Sequence, residues 1–309
     1  MVALEYVLRT NKLVKIYKGK KALSNVSMNV AKGDIYGFVG ENGSGKTTVI
    51  RTVTGLISPK SGSYELFGVK NTDEKIIFER KKVAAIVESP SIYKNFSAKE
   101  NILMQATILG VECDADEILR MVGLEAVIND NKKVGNFSLG MRQRLGIAMC
   151  LINNPELLIL DEPMNGLDPA GIVDLRELIL KLNKEKNITF IISSHILTEL
   201  QLVATKYGLI TKGVLIKEIT KEELENELTG FTVIETENPE DIKAVLLQNE
   251  ISEEIIQVSN NKIKVLNQVD INSLIKILAD NQININSINC SKMTIEEYYL
   301  NTIGGRHNG

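Results

Sequence analysis

Gly40-Glu41-Asn42-Gly43-Ser44-Gly45-Lys46-Thr47-Thr48 is the stretch whose residue types and spacing can do chemistry. It fits G-x-x-x-x-G-K-[ST], in which glycines let the backbone curl until successive N–H groups point at one anion. Ahead of it, Ile35-Tyr36-Gly37-Phe38-Val39 reads as a short buried strand, and residues 49–54 continue beyond it as a helix would. Strand, glycine loop and helix together make a phosphate site, to which the helix adds its positive N-terminal end. Lys46 is expected to reach the β- and γ-phosphates of a nucleoside triphosphate, and the Thr47 hydroxyl to hold Mg²⁺. A glycine-rich turn with a surface lysine is the plainer reading. Three glycines, Lys-Thr and these flanks weigh against it.

A second constellation lies downstream. Leu157-Leu158-Ile159-Leu160 is an apolar run ending in Asp161 and Glu162, and acids delivered at the carboxyl end of a buried parallel strand sit where ligands bind. Asp161 can hold Mg²⁺ through water, while Glu162 points elsewhere and can address an attacking water. Asn165-Gly166-Leu167-Asp168-Pro169 turns the chain, and a helix to about residue 184 leads to a strand over 188–192 ending in Ser193-Ser194-His195. His195 is one of two histidines; His307 falls in a terminal tail. Alone it reads as structural, and in this series as catalytic, close to a γ-phosphate. Tyr17, beside the basic turn Lys18-Gly19-Lys20-Lys21, can stack on a purine or be a plain half-buried tyrosine.

The elements that must position these groups form an α/β pattern. Strands are expected over residues 4–36, where Tyr6, Leu8 and Thr10 alternate, as do Leu13 and Lys15 and residues 26–30. A hairpin-like piece at 64–68, a charged helix at 74–82 and a buried strand at 83–87 ending in Glu88-Ser89-Pro90 follow. Helical patterns dominate from about 89 to 155: residues 97–109, opened by the Ser97/Glu100 capping box, then 114–123, then an apolar helix to Ile152.

Composition is that of an ordinary globular protein, 44% hydrophobic and 24% charged over 309 residues. No run of eighteen apolar residues occurs and residues 1–10 carry no signal-peptide core, so neither a membrane span nor export is expected. Cys113, Cys150 and Cys290 are odd in number and scattered, which predicts reduced thiols in a cytoplasmic protein. Residues 1–220 hold 29 Lys+Arg against 24 Asp+Glu, and residues 221–309 hold 7 against 15. That shift from +5 to −8 predicts a boundary near residue 220. The basic excess suits a polyanionic ligand and is too small to argue for nucleic acid.

In their order these residues resemble the ATP-binding subunit of an ABC transporter over about residues 4–220. Tyr17 matches the adenine-stacking aromatic, residues 40–48 Walker A, Ser138-Leu139-Gly140 the signature, residues 157–162 Walker B, Asp168 the D-loop and His195 the switch histidine. The family's usual Leu-Ser-Gly-Gly-Gln reads Phe137-Ser138-Leu139-Gly140-Met141 here, which keeps the serine and the glycine expected near a γ-phosphate and loses the glutamine. Glu88 stands where the family usually has a Mg²⁺-binding glutamine. With the Ser-Pro and Tyr/Phe-rich stretch after it, and with the closing Met293-Thr294-Ile295-Glu296-Glu297-Tyr298-Tyr299, it resembles the subgroup handling bacitracin and lantibiotics. The resemblance implies ATP and Mg²⁺ as ligands, with Thr47, Asp161 and Glu88 about the metal and Glu162, His195 and Lys46 as catalytic groups. It implies a head-to-tail pair of copies in which residues 138–140 of one face Walker A of the other. It also implies an integral-membrane permease docked near residues 88–104, holding the chain at the cytoplasmic face of the cell membrane.

Residues 221–309 predict strand, helix, strand, strand, helix, strand over 231–235, 239–248, 254–258, 262–266, 271–279 and 285–289, the ferredoxin-like order, with no catalytic pair. A regulatory or dimer-supporting role is expected there. The alternatives are an ABC ATPase for another substrate, a non-transport ABC ATPase acting on ribosomes or DNA, and a nucleotide sensor without turnover. One Walker A, no long coiled-coil insertion and the presence of Glu162 and His195 weigh against the last two.

Overall fold

The computed structural model describes residues 5–228, 230–266 and 269–304; residues 1–4 and His307 lie outside them. The chain divides into two compact units, Met1–Lys221 and Glu222–Gly309. Six strands form the principal sheet of the first unit, in the order Val214–Thr220, Lys206–Thr211, Ile35–Val39, Thr189–Ser194, Leu157–Asp161, Val83–Ile86. The last five run parallel, and Val214–Thr220 closes one side antiparallel to its neighbour. Every residue of Ile35–Val39, Leu157–Asp161 and Thr189–Ser194 is buried, because elements cover both faces of a parallel sheet. Parallel strands end on one side, so Gly40, Glu162 and His195, each just past a strand, emerge together.

The strand expected to be buried over 83–87 departs from that pattern. Val83, Ala84 and Ala85 are half-buried and only Ile86 is buried. Val83–Ile86 is the outermost strand, with one neighbour, and a cleft of about 550 Å³ runs along it. An apolar run does not distinguish an inner strand from an outer one.

A second, antiparallel sheet carries Lys20–Val26, Tyr6–Tyr17, Ser61–Leu66 and Val69–Lys70 in that order, with Asn29–Ala31 also paired to Tyr6–Tyr17. The two alternating runs expected before residue 16 join into one twelve-residue strand, kinked by register shifts beside Leu13 and Lys15. Between the sheets lies a core of Leu8, Leu13, Leu23, Tyr36, Phe38, Val49, Ile50, Leu157 and Ile191. Each such side chain contributes about 1.5–3 kcal/mol by leaving water. Val49 and Ile50 belong to the helix Lys46–Val53, so this core fixes the helix that carries the loop's lysine and threonine.

Residues 89–155 hold the helices Ala98–Leu109, Ala115–Met121 and Leu139–Leu151. Ser97 Oγ accepts from the Glu100 N–H while Glu100 Oε2 accepts from the Ser97 N–H, so both donors at this helix end are satisfied. The Ser97 N–H, aided by the Ser97 hydroxyl and Lys133, holds the Glu100 carboxyl below the usual carboxylate range.

The second unit has a four-stranded antiparallel sheet ordered Ile256–Ser259, Lys262–Leu266, Gly230–Glu235, Ser287–Lys292. With helices Pro239–Gln248 and Ile271–Asp280 this is the ferredoxin-like βαββαβ arrangement, numbered 2-3-1-4 across the sheet. Ile234, Ile242, Leu246, Ile263, Val265, Leu274 and Leu278 form its core. A 3₁₀ turn occupies Glu253–Ile255, so the second strand starts later than expected, and the last strand is displaced from 285–289 to Ser287–Lys292. Helices Lys221–Glu227 and Ile295–Gly304 complete the unit.

Candidate nucleotide-binding site

Backbone crowding explains the two glycines that frame the loop. A Cβ on Gly40 would lie 2.3 Å from the Ile210 carbonyl oxygen and 2.5 Å from Ser44 Oγ. Gly45 has φ +112° and a Cβ there would stand 2.9 Å from the Ala22 carbonyl oxygen. Either side chain would force the loop open. Glu41, Asn42 and Gly43 form the exposed outer arc, Ser44 and Lys46 are buried, and Thr47 and Thr48 begin the helix. Ser44 Oγ is buried without a hydrogen-bond partner. A buried hydroxyl lacking a partner is costly unless a ligand supplies one.

Lys46 Nζ donates to the Gly40 carbonyl at 2.6 Å and the Glu41 carbonyl at 3.2 Å, and lies 3.1 Å from Glu162 Oε1. The Glu162 oxygen makes an ion contact there rather than a hydrogen bond. Its other oxygen, Oε2, is 2.8 Å from His195 Nδ1. Glu162 has φ +50°, a left-handed conformation that turns its side chain out of the strand direction and towards Lys46 and His195. Lysine, glutamate and histidine therefore form one chain of charged and titratable groups at the strand ends.

Beneath it, Thr47 Oγ1 donates to Asp161 Oδ2 at 2.8 Å, and Ser193 Oγ donates to Asp161 Oδ1 at 2.5 Å. Ser193 Oγ also accepts from the Glu162 N–H at 2.9 Å. Ser193 thus fixes both acids, a role that the sequence signalled only by a serine at a strand end two residues before His195. Thr47 and Asp161 offer hard oxygens side by side, the donor chemistry Mg²⁺ takes, and Mg²⁺ uses one or two protein oxygens with water and phosphate for the rest. Among the described residues no group of three or more His, Cys, Asp or Glu could hold a metal by itself. The unpartnered Ser44 hydroxyl, the glycine cradle and this oxygen pair fit a Mg²⁺–triphosphate group.

The strand delivering Gly40 is pinned by Tyr36, whose buried hydroxyl donates to Glu218 Oε1 at 3.0 Å. Burial first, then the Glu218 charge, push the Tyr36 hydroxyl well above its usual value, so it stays a donor.

The remaining residues singled out by the sequence have contacts of their own. Tyr17 closes its strand with an exposed ring, 5.3 Å from Lys15 Nζ. Glu88 pairs with Arg51, Oε1 to Nη2 at 2.6 Å, rather than with Thr47 or Asp161. Ser138 caps the helix Leu139–Leu151, accepting from the Met141 N–H at 3.2 Å. That helix packs on the strand Val83–Ile86 and on its neighbouring helices. Asp168 caps the helix Pro169–Lys186 through the Gly171 N–H, and the turn before it lies against the start of the Ser138 helix, Leu139 Cδ2 standing 3.3 Å from a Cβ built on Gly166.

Comparison with known proteins agrees with this geometry. The family model described as ABC transporter matches residues 23–165. The bacitracin transport ATP-binding protein BcrA of Bacillus licheniformis is 41% identical over 314 residues, covering 97% of this chain and 98% of that protein. The lantibiotic transport ATP-binding protein SrtF of Streptococcus pyogenes is 44% identical over 221 residues, 71% of this chain and 93% of its own. Among solved structures, cbiO1 from Clostridium perfringens, part of the ABC transporter complex cbiONQ, superposes with a TM-score of 0.64 at 26% identity, covering 79% of this chain and 96% of that one.

Proposed function

The chain belongs to the ATP-binding subunits of ABC transporters and is an ATPase, and from that premise we propose that it powers a membrane partner that moves bacitracin- or lantibiotic-type peptides. The observation carrying the substrate class is the similarity to a bacitracin transport protein across both units of the chain. The similarity to a lantibiotic transport protein covers a smaller part of it.

In this reading Lys46 leaves the Gly40 and Glu41 carbonyls for the triphosphate, which also satisfies Ser44 Oγ and the loop N–H groups. Thr47 and Asp161 would hold Mg²⁺, which would supply charge neutralisation on the phosphate oxygens. Glu162, released from Lys46, accepts a proton from the attacking water, and His195 holds its other oxygen in place. Tyr17 offers its exposed ring to the base. Ser138 and Gly140, at the start of the helix Leu139–Leu151, serve the loop of a second copy in a head-to-tail pair, with Asp168 in the adjoining turn.

The cleft of about 550 Å³ beside Val83–Ile86 takes the membrane partner, next to the helix Ala98–Leu109, which leaves Leu103, Met104, Ile108 and Leu109 exposed. No described helix is long and apolar enough to cross a membrane, so in this reading the partner holds the chain at the cytoplasmic face. The test is the minimum inhibitory concentration of bacitracin and of a lantibiotic in cells expressing the chain with its membrane partner. Several-fold protection, lost with Glu162→Gln, is expected. No protection against any such peptide removes the substrate assignment and leaves the ATPase standing.

A further inference from the structure

We propose that the lysines of the hairpin joining Tyr6–Tyr17 to Lys20–Val26 form an electrostatic collar that speeds capture of a nucleotide polyphosphate. They act on its approach and not by contact once it is bound. The inference rests on the reading of residues 40–48 as the triphosphate site. That site is poorly charged for capture by itself. Lys46 is the cation aimed into the loop, while Glu41, Asp161 and Glu162 stand about it. The whole chain carries −3, so a polyanion is repelled at long range unless positive charge is concentrated at the entrance.

The hairpin supplies that concentration. Residues 6–33 hold seven Lys+Arg and no Asp or Glu. Lys18 and Gly19 turn the chain at φ +44° and +83°, and Tyr17 pairs with Lys20 to close the hairpin. The returning strand lies against the phosphate loop. A Cβ on Gly45 would stand 2.9 Å from the Ala22 carbonyl oxygen and 3.0 Å from Leu23 Cδ2. Lys20 and Lys21 immediately precede these two residues, and Lys21 shares the face of Leu23 because side chains alternate along a strand. Lys18, Lys20 and Lys21 are exposed, and among the described residues none of their side chains has an ion pair or hydrogen bond. Lys15, by contrast, is tied down, its Nζ donating to the Ser58 carbonyl at 2.6 Å. Exposed lysines often do no more than keep a surface wet. Three uncompensated ones on an acid-free hairpin, in contact with the loop that takes the phosphates, make a local positive field where a polyanion must arrive.

The experiment is stopped-flow binding of the fluorescent nucleotide methylanthraniloyl-ATP to the full chain without metal. It is run at about 10 mM and about 1 M ionic strength, where charges reach about 30 Å and about 3 Å. Lys18→Gln, Lys20→Gln and Lys21→Gln together should lower the association rate constant about tenfold at low ionic strength and leave the dissociation rate constant unchanged. At high ionic strength the difference should vanish. The diphosphate analogue, carrying less charge, should show a smaller effect. Lys181→Gln, Lys184→Gln and Lys186→Gln together remove the same charge from the end of the helix Pro169–Lys186, where it approaches the start of Thr189–Ser194, opposite the strand ends of the site. They should change association far less. Association unaltered by the hairpin substitutions, or lowered equally by the helix substitutions, overturns the proposal. So does an effect confined to dissociation, which would make these lysines contacts of the bound nucleotide. Lys46→Ala is measured alongside. If it leaves dissociation unchanged, the phosphate-loop reading falls and the collar with it. If it speeds dissociation while the hairpin substitutions leave association unaltered, only the collar falls.

Discussion

The two units of this chain use strand and helix to opposite ends. In Met1–Lys221 a parallel sheet brings three strand ends to one place, and Gly40, Glu162 and His195 leave the sheet side by side. Polar groups there are held by each other, Lys46 to Glu162 to His195 and Thr47 to Asp161 to Ser193, and Ser44 Oγ has no partner at all. In Glu222–Gly309 the sheet is antiparallel, so strand ends alternate sides. Its charged groups go to exposed pairs such as Lys243–Glu253 and Lys262–Glu235, and to the Asp270 cap on the Ser273 N–H. Parallel topology concentrates unfinished chemistry, and antiparallel topology disperses it.

The comparison breaks first at Lys46. Lys46→Ala removes the ammonium aimed into the loop and should weaken ATP binding by about 10–100-fold, the worth of charged hydrogen bonds. Calorimetry giving an affinity within a few-fold of the unsubstituted chain would mean that the loop does not bind phosphate. Glu162→Gln should keep ATP binding and lower turnover by about 10²–10⁴-fold, since an amide accepts no proton. It also relieves Lys46 of its ion contact, so affinity should rise slightly rather than fall. Light scattering should then find an ATP-bound pair of copies. Normal turnover in this variant removes Glu162 as the base.

A sharper form of the comparison separates the units. A fragment of residues 1–221 contains the whole of the first core and every residue of the site, and should unfold cooperatively and bind ATP within about threefold of the full chain. Loss of cooperative unfolding in calorimetry would show that the second unit is needed to complete the first.

Legibility followed the same division. Residues 40–48 announced themselves because glycine spacing, Lys-Thr and the flanking strand and helix are all local. Asp161 and Glu162 were legible as strand-end acids. What they hold was not: Thr47 meets Asp161 across 114 residues and His195 meets Glu162 across 33, and no periodicity encodes such pairs. Nothing local marks Ser193 as a partner of Asp161 or Arg51 as a partner of Glu88, for the same reason. The outer place of Val83–Ile86 depends on sheet order, and an apolar run is silent about it. In the second unit the βαββαβ order showed through its alternation. The helix Lys221–Glu227 did not, because Leu224 is its one buried residue. Helix Ile295–Gly304 was marked only by its two tyrosines, both of which are buried.

The smallest expected effect compares one thiol from each unit. Cys150 sits in the Leu139–Leu151 helix where it lines the cleft beside Val83–Ile86, and burial pushes its thiol up to about 12. Cys290 is exposed on the Ser287–Lys292 strand, its Sγ 3.5 Å from Thr232 Oγ1. Alkylation requires the thiolate. At pH 8 the Cys150 thiolate fraction is about one in 10⁴, so mass spectrometry after iodoacetamide should find Cys290 modified first and Cys150 last. Cys113, half-buried and raised by burial and then by Asp114, should fall between them. A folded-state pKa raised for an acid group stabilises the fold below the unfolded value, near 9, and that contribution is lost as pH rises towards 12. Cys150→Ala should therefore flatten the alkaline limb of the thermal stability profile above about pH 9. Rapid labelling of Cys150 at pH 8 would mean that the helix opens readily from the strand, and that the cleft wall is less fixed than its packing indicates.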